Sequence, residues 1–318
     1  MNFEVYVRRE SYLEILGFTT YAYITNRITK YSGMAGGRVR TLGEFIENFV
    51  YGKVAEEAFK SFLSKELGLR ALTEVDVADF YSGVYLPDVV AIKKNQGWEP
   101  ARFWIDVKEV RRDQKWLLVP ASSIRERPYD AYVAVWVGLP DEHILWLIGN
   151  LKEDKERMAT PWLKKVDELT KSIEAIPCKI CGFATWNDVL AVNRKAKLTS
   201  RGGFYFDGNT ALFDPDDNAW SGAQVGENVG FELKRLGATS DWKIFHSLIT
   251  QNKRIISAVP MPRTKSGHLS KKSGLPSWCN TFRDFRDAYQ AYFEKQLKDI
   301  EQKFGGIERT TSWFAQTI

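Results

Sequence analysis

Two aspartates and a lysine are the residues most able to carry chemistry in this sequence. Asp88 follows Pro87 at the start of an apolar run, and Asp106 and Lys108 lie two positions apart in a second apolar run. Side chains alternate along a β-strand, so Asp106 and Lys108 should project from the same face. Carboxylates are ligands that Mg²⁺ prefers, and a bound Mg²⁺ polarises a phosphate and lowers the pKa of a water. The pattern therefore suits phosphodiester hydrolysis.

These residues belong to one stretch, 86–110, which we predict to be a β-hairpin. The segment 95–100 is rich in strand-breaking residues and would form the turn, and the second strand would span 102–110. The hairpin would bring the two carboxylates and the lysine together at neighbouring strand ends. The alternative is an ordinary hairpin in which Asp106 and Lys108 form a solvated surface pair.

A long amphipathic helix is predicted over Leu42 to Leu67, ended by Gly68. Its apolar stripe advances in steps of three and four residues and passes through Glu56. A buried carboxylate is costly without a partner, so we expect Glu56 to contact a metal, a lysine or a metal-bound water. If the stripe rotates around the helix instead, Glu56 lies at its solvent edge.

Pro87-Asp88 followed by Asp106-Val107-Lys108 resembles the PD-(D/E)xK signature of the restriction-endonuclease-like nucleases, and within them the type II restriction endonucleases. The resemblance implies an α/β fold with a restriction-endonuclease-like core, in which helices flank a mixed central β-sheet, and an additional C-terminal region or domain. It implies that Asp88 and Asp106 bind Mg²⁺ and that the Val107 carbonyl adds a ligand. It also implies that Lys108 positions or helps to deprotonate the attacking water.

The order of elements follows that of the same family, whose core runs as helix, PD strand, DxK strand, crossover helix and strand. Here 121–127 suits the crossover helix, and Tyr129 to Val137 reads as a buried strand. In this family a helical Glu before the PD strand commonly completes the metal site, and Glu56 holds that place. Acidic residues in 74–79 could join the site, although an acidic loop is the simpler interpretation.

A long basic span follows in the second half of the chain. Residues 243–283 contain no Asp or Glu. A span of one charge sign is typical of a protein with a polyanionic partner, although it also fits a solvated loop region. The whole chain has 45 Lys and Arg against 40 Asp and Glu, a net charge of +5 that permits nucleic-acid binding without requiring it. The candidate DNA-binding residues are Arg263, Lys265, Lys271 and Lys272.

The 318 residues suffice for one large domain or two ordinary ones. We predict a nuclease core with an N-terminal arm over 1–150. We predict a DNA-binding or specificity region over 151–318, ending in a long amphipathic helix at 281–304.

Three cysteines indicate a reducing compartment rather than a disulfide framework. Cys178 and Cys181 form a CxxC pair, but zinc would need two further ligands, such as Cys279 with His246 or His268. Two incidental thiols are the simpler interpretation. A zinc-stabilised binding protein is therefore a third candidate function, beside a nuclease and a DNA-binding module without catalysis.

The expected function is Mg²⁺-dependent, site-specific cleavage of double-stranded DNA. The resemblance implies a homodimer and a cognate DNA methyltransferase that protects host DNA. A DNA-repair or junction-resolving nuclease is the alternative within the fold, and a DNA-binding module without catalysis is the alternative from another class. No apolar run approaches the ~20 residues that span a bilayer, and the N-terminal sequence resembles no targeting peptide. We therefore expect a soluble cytoplasmic protein with no membrane partner.

Overall fold

The structure is a computed structural model, and the residues it describes form an α/β fold in which helices flank a mixed central sheet. The described residues are 3–24, 42–77, 87–94, 97–111, 113–120, 124, 128–140, 143, 174–192, 197–198, 204–205, 222–225, 228–256 and 282–304.

The elements in chain order are β1 (Phe3–Arg8), α1 (Arg9–Ile24), α2 (Leu42–Leu67), β2 (Ala71–Thr73), α3 (Glu74–Val77), β3 (Val89–Lys94), β4 (Gly97–Pro100), β5 (Ile105–Val110), β6 (Trp116–Pro120), β7 (Ala131–Val137), β8 (Ala175–Thr185), α4 (Trp186–Val192), β9 (Lys197–Leu198), β10 (Phe204–Tyr205), β11 (Gly222–Val225), β12 (Asn228–Glu232), α5 (Leu233–Thr239), α6 (Trp242–Gln251) and α7 (Phe282–Phe304).

The central sheet has the strand order β1-β8-β7-β5. Strand β8 pairs antiparallel with both β1 and β7, whereas β5 and β7 pair in parallel. A parallel pair requires a crossover connection, so the predicted crossover between these two strands is confirmed. Of the predicted crossover helix at 121–127, only Ile124 lies among the described residues, where it is helical and buried.

Apolar side chains alternate across this sheet and supply two cores. On one face, Val107 and Val133 belong to the core that includes Phe59 of α2 and Phe245 of α6. On the other face, Tyr132 belongs to the core built from residues of β6, β12, α4, α5 and α7. The central strands are therefore buried on both faces, and their ends and outer edge are where polar chemistry can meet solvent.

The predicted hairpin over 86–110 is wrong. Strand β3 pairs antiparallel with β2 and with β4, and β4 occupies most of the segment predicted as a turn. Strand β5 lies in the central sheet instead. It begins later than predicted because the side chain of Asn252 accepts the main-chain N–H of Arg102, and that of Asp130 accepts the main-chain N–H of Trp104.

Helix α2 has the predicted bounds, and Gly68 follows it with a φ of 65°, the left-handed conformation common after a helix end. Helix α7 also agrees with its prediction. Its apolar face packs on the body of the protein, where Tyr289, Phe293 and Leu297 are buried in the second core. Within the described residues, no helix is long and apolar enough to cross a membrane.

A buried aspartate ties helix α7 to the start of β5. Asp130 is fully buried and accepts the main-chain N–H groups of Trp104 at 2.7 Å, of Ile255 at 2.7 Å and of Ile256 at 3.0 Å. Arg286 of α7 forms an ion pair with Asp130 and lies over the ring of Trp104. Segments that are far apart in sequence therefore meet at one carboxylate beside the strand that carries Asp106.

The predicted division at residue 150 falls outside the described residues. On its two sides, β8 pairs with β1 and β7, so the central sheet draws strands from both predicted regions. The four predicted DNA-binding residues, Arg263, Lys265, Lys271 and Lys272, also lie outside the described residues.

Candidate active site

Asp88 is anchored to the outer edge of β5. Its main-chain N–H donates to the Ile105 carbonyl at 3.1 Å, and its carboxylate accepts the Val107 N–H at 2.5 Å. Strand β5 stands last in the order of the described central sheet, so this edge is available to Asp88. The N–H and C=O of one strand residue point to the same side. The Val107 carbonyl therefore faces the edge on which Asp88 lies, as a metal-ligand role would require.

Asp106 and Lys108 project from one face of β5, as their spacing predicted. Lys108 Nζ lies 2.8 Å from Asp106 Oδ2, and Asp106 is 6% exposed. That Oδ2 atom is buried and receives no hydrogen bond from the residues described, so its contact with Lys108 is an ion pair rather than a hydrogen bond. A buried anionic oxygen in this state retains lone pairs for a cation.

Glu56 is buried within the apolar stripe of α2 and has a lysine partner, so this prediction is confirmed. Both its carboxylate oxygens accept hydrogen bonds from Lys53 Nζ, at 2.7 and 2.9 Å. The same ammonium donates to Glu74 Oε2 of α3 at 2.8 Å. Lys53 and Glu56 are 5% and 6% exposed. An ammonium bridging two carboxylates in this way explains how the charges are tolerated away from water.

The negative charges of the carboxylates in this site repel one another. Burial, and then the negative charges of Glu56 and Asp106, raise the pKa of Asp88 well above its usual range. Burial also raises the pKa of Glu56 to about 7, against the opposing effect of Lys53. Each of these acids therefore binds a proton more tightly than it would in water. A cation placed among them would relieve the same repulsion.

Both lysines of the site are held as ammonium ions. Burial lowers the pKa of Lys108, but the negative charge of Asp106 outweighs that effect, with a further contribution from Asp88, and the net shift is upward. Lys53 has its pKa raised in the same way, because Glu56, Glu74 and Asp88 outweigh its burial. The two side chains are therefore donors and positive charges rather than bases.

The residues present fit a hard divalent cation. Asp88, the Val107 carbonyl and Asp106 supply the oxygen donors that Mg²⁺ takes. Among the residues described, no group of three His, Cys, Asp or Glu side chains stands ready-made to hold a metal. The reason is visible in the ion pairs, because Lys53 holds Glu56 and Lys108 holds Asp106. The acidic groups are close enough to raise one another's pKa values, but each already has a partner within the protein.

The CxxC pair does not form a metal site. Cys178 and Cys181 both lie in β8, but Cys178 belongs to the core that contains α2 and Cys181 to the core on the opposite face. Their thiols donate to the carbonyls of Ile176 and Lys179. The interpretation as incidental thiols agrees with this placement.

Lys53 is a residue of the site that the predictions from sequence do not include, and Glu74 lies in helix α3 rather than in the predicted acidic loop. Lys53 precedes Glu56 by three residues on one helix, a spacing at which side chains meet, so this signal was present in the sequence. Glu74, which reaches Lys53 from α3, is one of the acidic residues in 74–79 that could join the site, but nothing in the sequence distinguishes it from the other acidic residues there.

No protein-family model, no curated protein and no solved structure matches this chain. The geometry and charge of the site are therefore the support for a function.

Proposed function

We propose that this chain is a Mg²⁺-dependent nuclease of the PD-(D/E)xK type that hydrolyses double-stranded DNA, most simply as a type II restriction endonuclease. One observation carries the proposal. The Asp88 carboxylate reaches the main chain of Val107, the residue between Asp106 and Lys108. Two aspartates and a lysine from separate segments thus converge at one strand edge, where a hard cation and a phosphate could meet.

A restriction-endonuclease-like core is part of this proposal. Its support is the order of elements: α2 with the buried Glu56, then Asp88 at the start of β3, then β5, then β7 in parallel with β5. The mixed central sheet flanked by helices has the layout that such a core requires.

Each residue of the site would have a distinct role. Asp88, Asp106 and the Val107 carbonyl would hold Mg²⁺, with Glu56 supporting the ion or its water. When bound, Mg²⁺ supplies a Lewis acid that polarises the phosphate and lowers the pKa of a water. The raised pKa of Lys108 favours its role as a donor that orients the attacking water and offsets charge on the phosphate, rather than as the base.

The test is digestion of unmethylated phage DNA with and without Mg²⁺, read on a gel. Discrete fragments that depend on Mg²⁺ are expected. Asp106→Ala should abolish them while DNA binding in Ca²⁺ survives, and Asp113→Ala, at an exposed position beyond β5, should cut normally. A metal-dependent smear would favour the repair or junction-resolving alternative. Intact DNA under both Mg²⁺ and Mn²⁺ would contradict a nuclease.

Cleavage of both strands at one site calls for two such centres, so we propose a homodimer. We also propose a cytoplasmic system in which a cognate DNA methyltransferase modifies the same site in host DNA. Fragment patterns on unmethylated DNA and on DNA from the host test the second point. Equal cutting of both substrates would count against a restriction–modification pair.

One observation favours a non-catalytic DNA-binding module as the second candidate. Lys53 and Lys108 already neutralise Glu56 and Asp106, as they would in a site that had become structural. Calorimetry separates the two candidates. A nuclease should bind Mg²⁺ or Mn²⁺ in a manner that Asp106→Ala removes, whereas a non-catalytic module should show no such binding.

A further inference from the structure

Building on the proposed nuclease function, we infer that the site takes a single divalent cation, because the buried ammonium of Lys53 occupies the place and supplies the charge of a second metal ion. Two-metal sites hold their ions about 3.5–4 Å apart with carboxylates shared between them. Here a protein cation lies among the carboxylates instead.

The contacts of Lys53 resemble those of a bound ion. Its Nζ atom lies 2.7 and 2.9 Å from the two oxygens of Glu56 and 2.8 Å from Glu74 Oε2. Glu56 thereby presents both oxygens to Lys53. A second metal would need those same oxygens, and it would have to displace an ammonium that is only 5% exposed.

The net charge of the cluster points to the same number of ions. When every group is ionised, four carboxylates and two ammonium groups give 4 negative and 2 positive charges, a net charge of −2. One divalent cation brings the cluster to neutrality, whereas a second would leave an uncompensated charge of +2 in a largely buried site, which is costly. The groups counted are Asp88, Asp106, Glu56, Glu74, Lys53 and Lys108. The nearby Glu109 is left out of the count because the positive charge of Arg111 acts on it.

Lys60 offers a matched control on the same helix. It also bridges two carboxylates, 2.8 Å from Asp76 and 3.1 Å from Glu57, and it also joins α2 to α3. Its partners are different from those of Lys53, and Asp88 is not among the charges that shift its pKa. Removing its charge changes a bridge of the same kind without changing the candidate metal site.

The experiment counts Mn²⁺ ions on the full-length protein by calorimetry and by electron paramagnetic resonance, at mildly alkaline pH where Glu56 is ionised. The wild-type chain should bind one Mn²⁺ with the spectrum of an isolated ion. Lys53→Gln and Lys53→Met, which remove the charge, should bind a second Mn²⁺ with spin coupling between the ions. The first ion should also bind about tenfold more tightly or better. Lys53→Arg and Lys60→Met should still bind one.

Every outcome decides between the alternatives. Two coupled ions on the wild-type chain would overturn the single-ion inference and leave the nuclease proposal standing. One ion on both Lys53→Gln and wild type would overturn the role of Lys53. No bound Mn²⁺ on any variant would instead contradict the nuclease proposal itself. Lys53→Gln retains hydrogen-bond donors to Glu56, so it keeps the test open if Lys53→Met does not fold.

Discussion

The Asp88 carboxylate accepts the Val107 main-chain N–H at 2.5 Å, although Asp88 leads into a strand of one sheet and Val107 lies in a strand of another. This contact, together with the bond from the Asp88 N–H to the Ile105 carbonyl, replaces the strand pairing that a hairpin would have supplied. It fixes the first carboxylate of the motif against the strand that carries the second.

Asp88 therefore has a structural and a chemical role that two substitutions separate. Asp88→Ala should abolish cleavage and also lower the free energy of unfolding by about 1–3 kcal/mol, because the Val107 N–H loses its acceptor. Asp88→Asn keeps an acceptor oxygen, so it should abolish cleavage with little loss of stability. Urea denaturation and a cleavage assay measure the two effects. Equal destabilisation by both variants would show that the charge of Asp88, and not its hydrogen bond to Val107, stabilises its contact with β5.

Lys108→Gln should lower kcat by about 10²–10³-fold and leave KM nearly unchanged, because a donor aimed at developing charge acts mainly in the transition state. Single-turnover cleavage at saturating DNA measures the change. Lys115→Gln, at an exposed position before β6, is the control and should cut at the wild-type rate. A large rise in KM with unchanged kcat would reassign Lys108 to DNA binding.

Glu56 should make the metal-free protein less stable as pH rises. Its pKa is raised from 4.5 to about 7 by burial, so its protonated form stabilises the fold fully below 4.5, and that contribution is lost as pH rises through 7. Glu56→Gln cannot ionise. Thermal melts in EDTA should therefore show that the melting temperature of Glu56→Gln rises relative to that of wild type between about pH 4.5 and about pH 7, and that the difference is level above this range.

The exposed Glu66 on the same helix supplies the control for this pH series, because Glu66→Gln should show no such trend. Added Mg²⁺ should stabilise the wild-type protein more at the alkaline end than at the acid end. A melting-temperature difference between Glu56→Gln and wild type that stayed constant across the range would contradict the assignment.

Asp130→Ala should destabilise the protein by about 3–5 kcal/mol, because it leaves the buried Arg286 charge without its partner. Asp287→Ala removes a carboxylate from the same helix, α7, but one that pairs with the partly exposed Arg254, and should cost little. Chemical denaturation compares the two variants. Similar stabilities would mean that α7 docks through its apolar face alone.

Neutralising Lys271 and Lys272 together should weaken DNA binding and reduce the salt slope by about 1.8, the value for two phosphate contacts on duplex DNA. Binding titrations across a range of salt concentrations measure the slope. The exposed Lys298 of α7, which pairs with Glu294, provides the control. An unchanged slope in the double variant would place the basic span away from DNA.

Local patterns in the sequence predicted some elements well. Helix α2 and the burial of Glu56 follow from an apolar stripe with a residue of the wrong polarity in its middle, which is information carried within one segment. Helix α7 follows from the same kind of signal. The pairing of Lys53 with Glu56 is also predictable from the sequence, because the two residues lie three positions apart on one helix.

Which strands pair with one another cannot be predicted from such local patterns. The residues after β3 suggest a turn, yet Gly97 to Pro100 pairs back on β3, and an apolar pattern alone does not say which strand is the neighbour. The start of β5 depends on Asn252, and the position of Asp106 in the sheet depends on a parallel partner, β7. Such contacts arise only when distant segments meet.

The capping of β5 by late residues has a consequence for synthesis on the ribosome. The Arg102 N–H is bonded by a side chain 150 residues further along the chain, and the Arg102 carbonyl by one 184 residues further along. The cap from Asn252 is missing from a nascent chain until the end of α6 has left the exit tunnel, and the cap from Arg286 is missing until α7 has left it. The strand that bears Asp106 and Lys108 is thus completed long after it has been synthesised, and the chain gains its candidate active site only once α7 has emerged.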